Sequence, residues 1–208
     1  MLQTCSIEPI TLDVLKRLMR LPFLESFYLV GGTSLALRYG HRTSIDLDLF
    51  SVTEFKNQEI LQGLEDAGIP FEYKNSNYKI GLFGFTNNIK IDFVQHYHFK
   101  QIDNAIVEDG IRMFSDKDIM AMKIFAILQR AQKKDFWDVA ELLQHFTLQD
   151  FIDAYYKKYP SNQMLISIPH ALTYFADADD SEDPVSLKGQ TWESVKKIVQ
   201  QHVNDYLK

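Results

Sequence analysis

The stretch FYLVGGTSLALRYGHRTSIDLDLF, residues 27–50, changes its hydrophobic period twice. Phe27-Tyr28-Leu29-Val30 is a compact apolar run of strand length that stops at Gly31-Gly32. Thr33 to Tyr39 then takes helical spacing, and Gly40 closes it, because glycine enters the left-handed region that ends helices. Ser44 to Phe50 alternates as a strand does, with Ile45, Leu47 and Leu49 on one face and Asp46 and Asp48 on the other. Strand, glycine turn, short helix and acid-bearing strand therefore follow one another closely.

Working outward, Ile10, Val14, Leu15 and Leu18 give a helix over about Pro9 to Met19, stopped at Leu21-Pro22. Lys56 to Ala67 is an amphipathic helix ending at Gly68, with Pro70 just beyond. Strands are expected at Phe71–Lys74, Tyr78–Phe85 and Asn88–Gln95, the last two joined by a turn at Thr86-Asn87. After about Asp109 the pattern becomes helix after helix. Ser115 caps the first, with Asp118 three residues on, and it runs to Gln129 or beyond. Phe136–Gln144, Leu148–Tyr156, Gln163–Phe175 and Trp192–Tyr206 follow. The expected organisation is an α+β unit over residues 1–110 and a helical unit over residues 111–208.

The 208 residues suffice to bury a real core, and their composition is that of a globular protein. A single cysteine, Cys5, permits no disulfide within the chain and suits a reducing compartment. MLQTCSIEPI has no basic lead into an apolar core, and no apolar run approaches the ~20 residues that span a bilayer. A cytoplasmic protein with no membrane partner is expected. The net charge of −6 argues against a broad nucleic-acid-coating surface but leaves room for a local basic patch.

On a strand, Asp46 and Asp48 lie roughly 6–7 Å apart at Cα on one face. No base separates them. Like charges that close repel unless a cation sits between them, and Mg²⁺, with Mn²⁺ as a substitute, wants oxygen ligands. An Asp-x-Asp alone is more often the solvated face of a half-buried strand. The strand Asn88–Gln95 changes that balance: Ile89, Ile91 and Phe93 share one face, while Lys90, Asp92 and Val94 share the other. Paired beside the first strand, it brings Asp92 to Asp46 and Asp48. Three such acids are a ligand set for metal-assisted phosphoryl or nucleotidyl transfer, and a carboxylate can also take the attacking hydroxyl's proton. Gly31-Gly32-Thr33-Ser34 follows a strand and opens a helix, where backbone N–H groups bind phosphate and the Thr33 and Ser34 hydroxyls can donate.

GGTSLALRYGHRTSIDLDLF, with Lys90-Ile91-Asp92-Phe93-Val94 downstream, resembles the polymerase-β-like nucleotidyltransferase superfamily. More narrowly it resembles the AbiEii/AbiGii toxin family of bacterial nucleotidyltransferases. That family shows a Gly-Gly-Thr, a His-Arg-x-Ser and an Asp-x-Asp, here Gly31-Gly32-Thr33, His41-Arg42-Thr43-Ser44 and Asp46-Leu47-Asp48. It also has a helical Lys and an Arg/Lys-Asp-x-x-Asp segment, matched by Lys123 and Lys134-Asp135-Phe136-Trp137-Asp138. The resemblance covers roughly residues 25 to 145. It implies a mixed sheet with flanking helices, followed by a C-terminal helical bundle. It implies transfer of a nucleotide from an NTP, in the toxins to RNA such as a tRNA end, with an antitoxin partner. Transfer to a small molecule or a protein hydroxyl, or nucleotide binding without turnover, are the alternatives.

Lys123, Ile127, Arg130 and Lys134 fall on one face at helical spacing, a basic wall for phosphates or a solvated face. Lys123 sits among Met122, Ile124 and Phe125, where a charge needs a reason, and the resemblance places it on the donor triphosphate. Asp135 and Asp138 suit the start of a helix electrostatically, and Asp135 can orient Lys123 or a base. Arg42 either touches phosphate or pairs with a carboxylate. His96 and His98 share a strand face without a third ligand and read as structural. Asp177 to Asp183 lacks the glycine and final glutamate of a calcium loop and reads as a solvated loop. Phe151, Tyr155, Tyr156 and Tyr159 read as helix packing, with any exposed tyrosine able to stack on a base.

Overall fold

The computed structural model describes residues 1–77, 79–162 and 166–208, and only the backbone at residues 74–77. Helix α1 (Pro9–Met19) precedes strand β1 (Phe27–Leu29), helix α2 (Gly31–Tyr39), strand β2 (Leu47–Ser51) and helix α3 (Asn57–Asp66). Strands β3 (Glu72–Asn77), β4 (Gly81–Thr86), β5 (Ile89–Gln95), β6 (Ile106–Glu108) and β7 (Ile111–Met113) follow. The rest is helical: α4 (Asp116–Gln129), α5 (Lys133–Leu142), α6 (Leu148–Lys158), α7 (Ile168–Thr173), α8 (Ala176–Asp179) and α9 (Trp192–Tyr206). Among the described residues the strands form one mixed sheet, ordered β3-β4-β5-β2-β1-β7-β6. No described helix is long and apolar enough to cross a membrane.

Local chemistry explains most of these boundaries. Gly40 ends α2 at φ 59°, and its N–H donates to the Ala36 carbonyl. The Ser115 hydroxyl accepts from the Asp118 N–H at the start of α4. Asn87 and Asn88, with φ of 51° and 63°, make the two-residue turn between β4 and β5, since asparagine tolerates the left-handed region. Asp109 and Gly110 do the same between β6 and β7.

That hairpin was not expected from the sequence. Its strands are too short for alternation to register, yet β7 pairs parallel with β1 and carries the sheet on to Met113. Other boundaries moved: α5 begins at Lys133 rather than Phe136, β3 runs to Asn77 rather than Lys74, and the turn between β4 and β5 is Asn87-Asn88 rather than Thr86-Asn87. The strand expected from Ser44 begins only at Leu47, because the segment before it spends its polar groups elsewhere. The Ser44 N–H donates to the Ser6 carbonyl, and the Thr33 hydroxyl donates to the Asp46 carbonyl. The helix expected over Gln163–Phe175 is confined to Ile168–Thr173, with residues 163–165 outside the described residues, as is Tyr78 in the expected strand Tyr78–Phe85. Asp177 to Asp183 is partly ordered into α8, where Asp179 accepts from the Trp192 indole at 2.6 Å.

The sheet has two unlike faces. Leu47 and Leu49 of β2, and Ile91 and Phe93 of β5, join Leu15, Leu18 and Leu64 of α1 and α3 in one buried cluster. Each such side chain contributes roughly 1.5–3 kcal/mol. The opposite face carries Asp48 and Phe50 on β2 with Asp92 and Val94 on β5, all partly buried. A second cluster, from Val30 and Leu35 through α4, α5, α6 and α9, stands over that face and leaves a cleft between.

Candidate active site

The cleft has a volume of about 780 Å³, within the size range of small-molecule sites. Strands β2 and β5 run parallel with Asp48 opposite Asp92, so the two carboxylates stand side by side on the open face. Asp46 lies in the extended segment before β2. Asp46 and Asp48 line the cleft, while Asp92 lies outside its lining. Burial, and then the neighbouring Asp92, push the Asp48 carboxyl above the usual carboxylate range; Lys90 opposes them and Asp46 adds to them. The Lys90 ammonium donates to Asp92 Oδ2 at 2.6 Å, and Asp92 Oδ1 is buried without a partner among the described residues. The sheet thus concentrates negative charge with one lysine against it. Among the described residues no three His, Cys, Asp or Glu side chains have closed to metal-ligand spacing. A raised carboxyl beside an orphaned carboxylate oxygen is still what a divalent cation would relieve, so the residues fit one.

Gly31 and Gly32 open α2 directly above these acids. Gly31 sits at φ +68°, and a Cβ there would stand 2.9 Å from Asp48 Oδ2. A Cβ on Gly32 would collide with the Arg42 guanidinium. Both positions therefore need glycine, and Val30 at the N-cap supplies no side-chain acceptor for the first amides of the helix. The hydroxyls are differently engaged. Thr33 bonds the Ser44 hydroxyl at 2.7 Å and the Asp46 carbonyl, which fixes the acid-bearing segment. Ser34 Oγ is buried without a partner among the described residues.

Arg42 and Lys123 meet in one buried ion cluster. Arg42 grips Asp138 with two bonds, Nε to Oδ1 at 2.7 Å and Nη2 to Oδ2 at 2.9 Å, and His41 Nε2 is 2.7 Å from Oδ1. Lys123 Nζ lies 2.5 Å from Asp138 Oδ2 and 2.9 Å from Asp135 Oδ1. Arg130 adds bonds to Asp135 at 3.2 and 3.3 Å. Burial opposes ionisation of both acids, but Lys123 and Arg130 hold Asp135 below the usual range, and Arg42 and Lys123 hold Asp138 well below it. Burial likewise works against the Lys123 charge, and Asp135 and Asp138 overcome it and raise its pKa. Arg42, Lys123, Arg130 and Lys134 all reach the cleft wall. The expected single helix face does not exist, because α4 ends at Gln129 and Lys134 belongs to α5.

The pairing of His41 and Arg42 with Asp138 was not read from the sequence. The only signal was that both motifs carry opposite charges, and spacing says nothing about contacts across so many residues. His96 is buried, with Nε2 unpartnered among the described residues, while His98 is exposed, so the two do not act together. Burial, and then Lys158, push His96 down to about 3. Phe151, Tyr155 and Tyr159 are buried as expected, and Tyr159 also lines the cleft.

The family model described as nucleotidyl transferase AbiEii toxin, Type IV TA system, matches residues 13–190. An uncharacterized protein of Aquifex aeolicus (strain VF5) is 32% identical over 202 residues, covering 94% of this chain and 95% of that one. The fold is similar to a putative nucleotidyltransferase from Helicobacter pylori at 17% identity, covering 97% of this chain and 99% of that one with a TM-score of 0.56. It is also similar to the nucleotidyltransferase toxin MenT4 from Mycobacterium tuberculosis H37Rv at 12% identity, covering 94% and 83%, with a TM-score of 0.59. With a family match that spans most of the sequence and an acid-lined cleft on the expected fold, this chain belongs to the AbiEii nucleotidyltransferase toxin family.

Proposed function

We propose that the protein transfers a nucleoside monophosphate from an NTP to RNA, at a tRNA end, as the toxin of a toxin–antitoxin pair. The observation that carries this reading is the side-by-side placement of Asp48 and Asp92 beneath the glycine-opened end of α2. In this reading residues 1–110 carry the chemistry and residues 111–208 close over the nucleotide. Asp46, Asp48 and Asp92 hold Mg²⁺ or Mn²⁺, which when bound neutralises phosphate charge and acidifies the attacking hydroxyl. The first amides of α2, at Gly31, Gly32, Thr33 and Ser34, take phosphate oxygens, and the missing Cβ atoms let the chain approach. Asp135 and Asp138 hold two hydrogens of the Lys123 ammonium, and the residue lines the cleft, so its third hydrogen is left for a donor phosphate. Asp138 positions Arg42 in the same wall.

The acceptor hydroxyl gives its proton to a carboxylate of the acid set and attacks the α-phosphorus. The bond to the β-phosphate oxygen breaks, and pyrophosphate leaves. The family's description as a Type IV toxin–antitoxin component supports an antitoxin partner. Purified protein, each labelled NTP in turn, Mg²⁺ and total RNA provide the test. Label should move to RNA with one or two NTPs and not without the cation. Label found on a small molecule or on protein would overturn the RNA acceptor, and no label transfer to any acceptor would overturn turnover itself.

A further inference from the structure

The lining of the cleft is chemically divided. Arg130, Lys134, the opening of α2, Asp46 and Asp48 form its charged end, where Arg130 is coupled electrostatically to Asp48 and Gly31 lies against the same carboxylate. The other end is aromatic. Phe50 and His96 have ring centroids 5.1 Å apart, His96 and Phe99 4.9 Å, Phe99 and Tyr159 5.1 Å, and Tyr159 and Phe125 5.0 Å, the last pair stacked. Phe50 follows Asp48 by two residues on the same face of β2, so the aromatic run begins roughly 6–7 Å beyond the acids. Phe99 on the rim is 41% exposed, an unusual place to leave a phenyl ring.

Within this end His96 is only 4% exposed and lines the cleft, yet its Nε2 has no partner among the described residues. Burial and the adjacent Lys158 keep the ring neutral. A neutral imidazole offers one specific donor or acceptor at that atom, whichever its tautomer dictates. A buried polar atom without a partner, on a residue that lines a ligand-sized cleft, leaves one bond for a ligand to make. The aromatic wall favours a flat heteroaromatic ring with polar edges over a hydrated phosphate, because such a ring satisfies both features.

We propose that this end of the cleft is a nucleobase subsite: the base of the donor NTP stacks against Phe99, Phe125 and Tyr159, and His96 Nε2 bonds its edge and selects among bases. The inference rests on the nucleotidyl-transfer reading, because it needs the triphosphate at the Arg130–Lys134 end and the α-phosphate at the acids. A ribose then bridges the step from Asp48 to Phe50.

The test is calorimetric titration of the full chain, in Mg²⁺, with each of the four NTPs and with inorganic tripolyphosphate. NTPs carrying a preferred base should bind at least tenfold more tightly than tripolyphosphate. Phe99→Ala, at an exposed position, should weaken those NTPs by about tenfold, the loss of one stacking partner, without moving tripolyphosphate. His96→Phe keeps an aromatic ring and removes Nε2, so the differences among the NTPs should shrink at least fivefold. Equal binding of NTP and tripolyphosphate by the native chain overturns the subsite. So does equal weakening of both by Phe99→Ala, or an unchanged base preference in His96→Phe. If Phe99→Ala instead weakens a single-stranded RNA oligonucleotide and no NTP, the pocket belongs to the acceptor and the donor assignment is wrong. Failure of the native chain to bind both tripolyphosphate and every NTP would remove the nucleotidyl-transfer reading itself, a different outcome from loss of base recognition alone.

Discussion

Asp48, partly buried, and His96, buried, are ionisable groups pushed in opposite senses by their surroundings. Asp48 stands beside Asp92, and its charge is disfavoured. Asp48→Asn keeps the size and removes the repulsion, so the melting temperature should hold or rise slightly while transfer falls by at least about a hundredfold. A variant that unfolds, or one that keeps its activity, would show the acids to be structural. His96 is lowered from 6.5 to about 3, so between those values the unfolded chain binds the extra proton. Stability from this group is present above pH 6.5 and is lost as pH falls toward 3, on the order of 5 kcal/mol over the whole window. Asp48, raised in the fold, gains protons more readily there and works in the opposite direction. The difference between the native chain and His96→Phe is therefore the readout. Melts from pH 7 to 4 should fall more steeply for the native chain, and parallel curves would refute the assignment. Neither shift was legible in sequence, because each is a property of neighbours supplied by other strands and helices.

At the scale of elements, α4 and α5 are joined to the segment leading into the acid-bearing strand by the cluster around Asp138. That carboxylate serves His41, Arg42 and Lys123, so its loss leaves three buried donors facing one another. Asp138→Asn should cost about 3–5 kcal/mol, read as a lowered urea midpoint with an unchanged slope. Lys123→Met should cost less, since Asp138 keeps Arg42 and Asp135 keeps Arg130. Its apparent KM for NTP should rise with a fall in kcat. The reverse order of stability would mean that Asp138 is not the hub. Most helices and the strands β1, β4 and β5 were legible because their periods are local. The start of β2 was not, since the Thr33 side chain captures the Asp46 carbonyl that a strand partner would otherwise take. The β6–β7 hairpin carried one signal, the Asp109-Gly110 turn.

For the whole molecule, the cleft lies between two hydrophobic clusters, one beneath the sheet and one built largely of C-terminal helices. A ligand that touches both should stabilise the assembly by mass action, about 2.7 kcal/mol at a hundredfold excess over Kd. At this size that is a rise of about 2–4 °C per kcal/mol. Mg²⁺ with a preferred NTP should raise the melting temperature more than either alone, and no response at millimolar levels would count heavily against the site. The sequence by itself determined the strand–glycine–helix–acid order, the alternation that puts Asp48 and Asp92 on the open faces of their strands, and the family. These follow from local periods, and from glycine and acid positions that few folds use together. Only the tertiary structure decided which charges meet. Arg42 and Asp138 are 96 positions apart. Sheet order and helix docking, set by burial of apolar faces far from either residue, bring them together and leave Asp46, Asp48 and the aromatic ring of His96 lining one cleft.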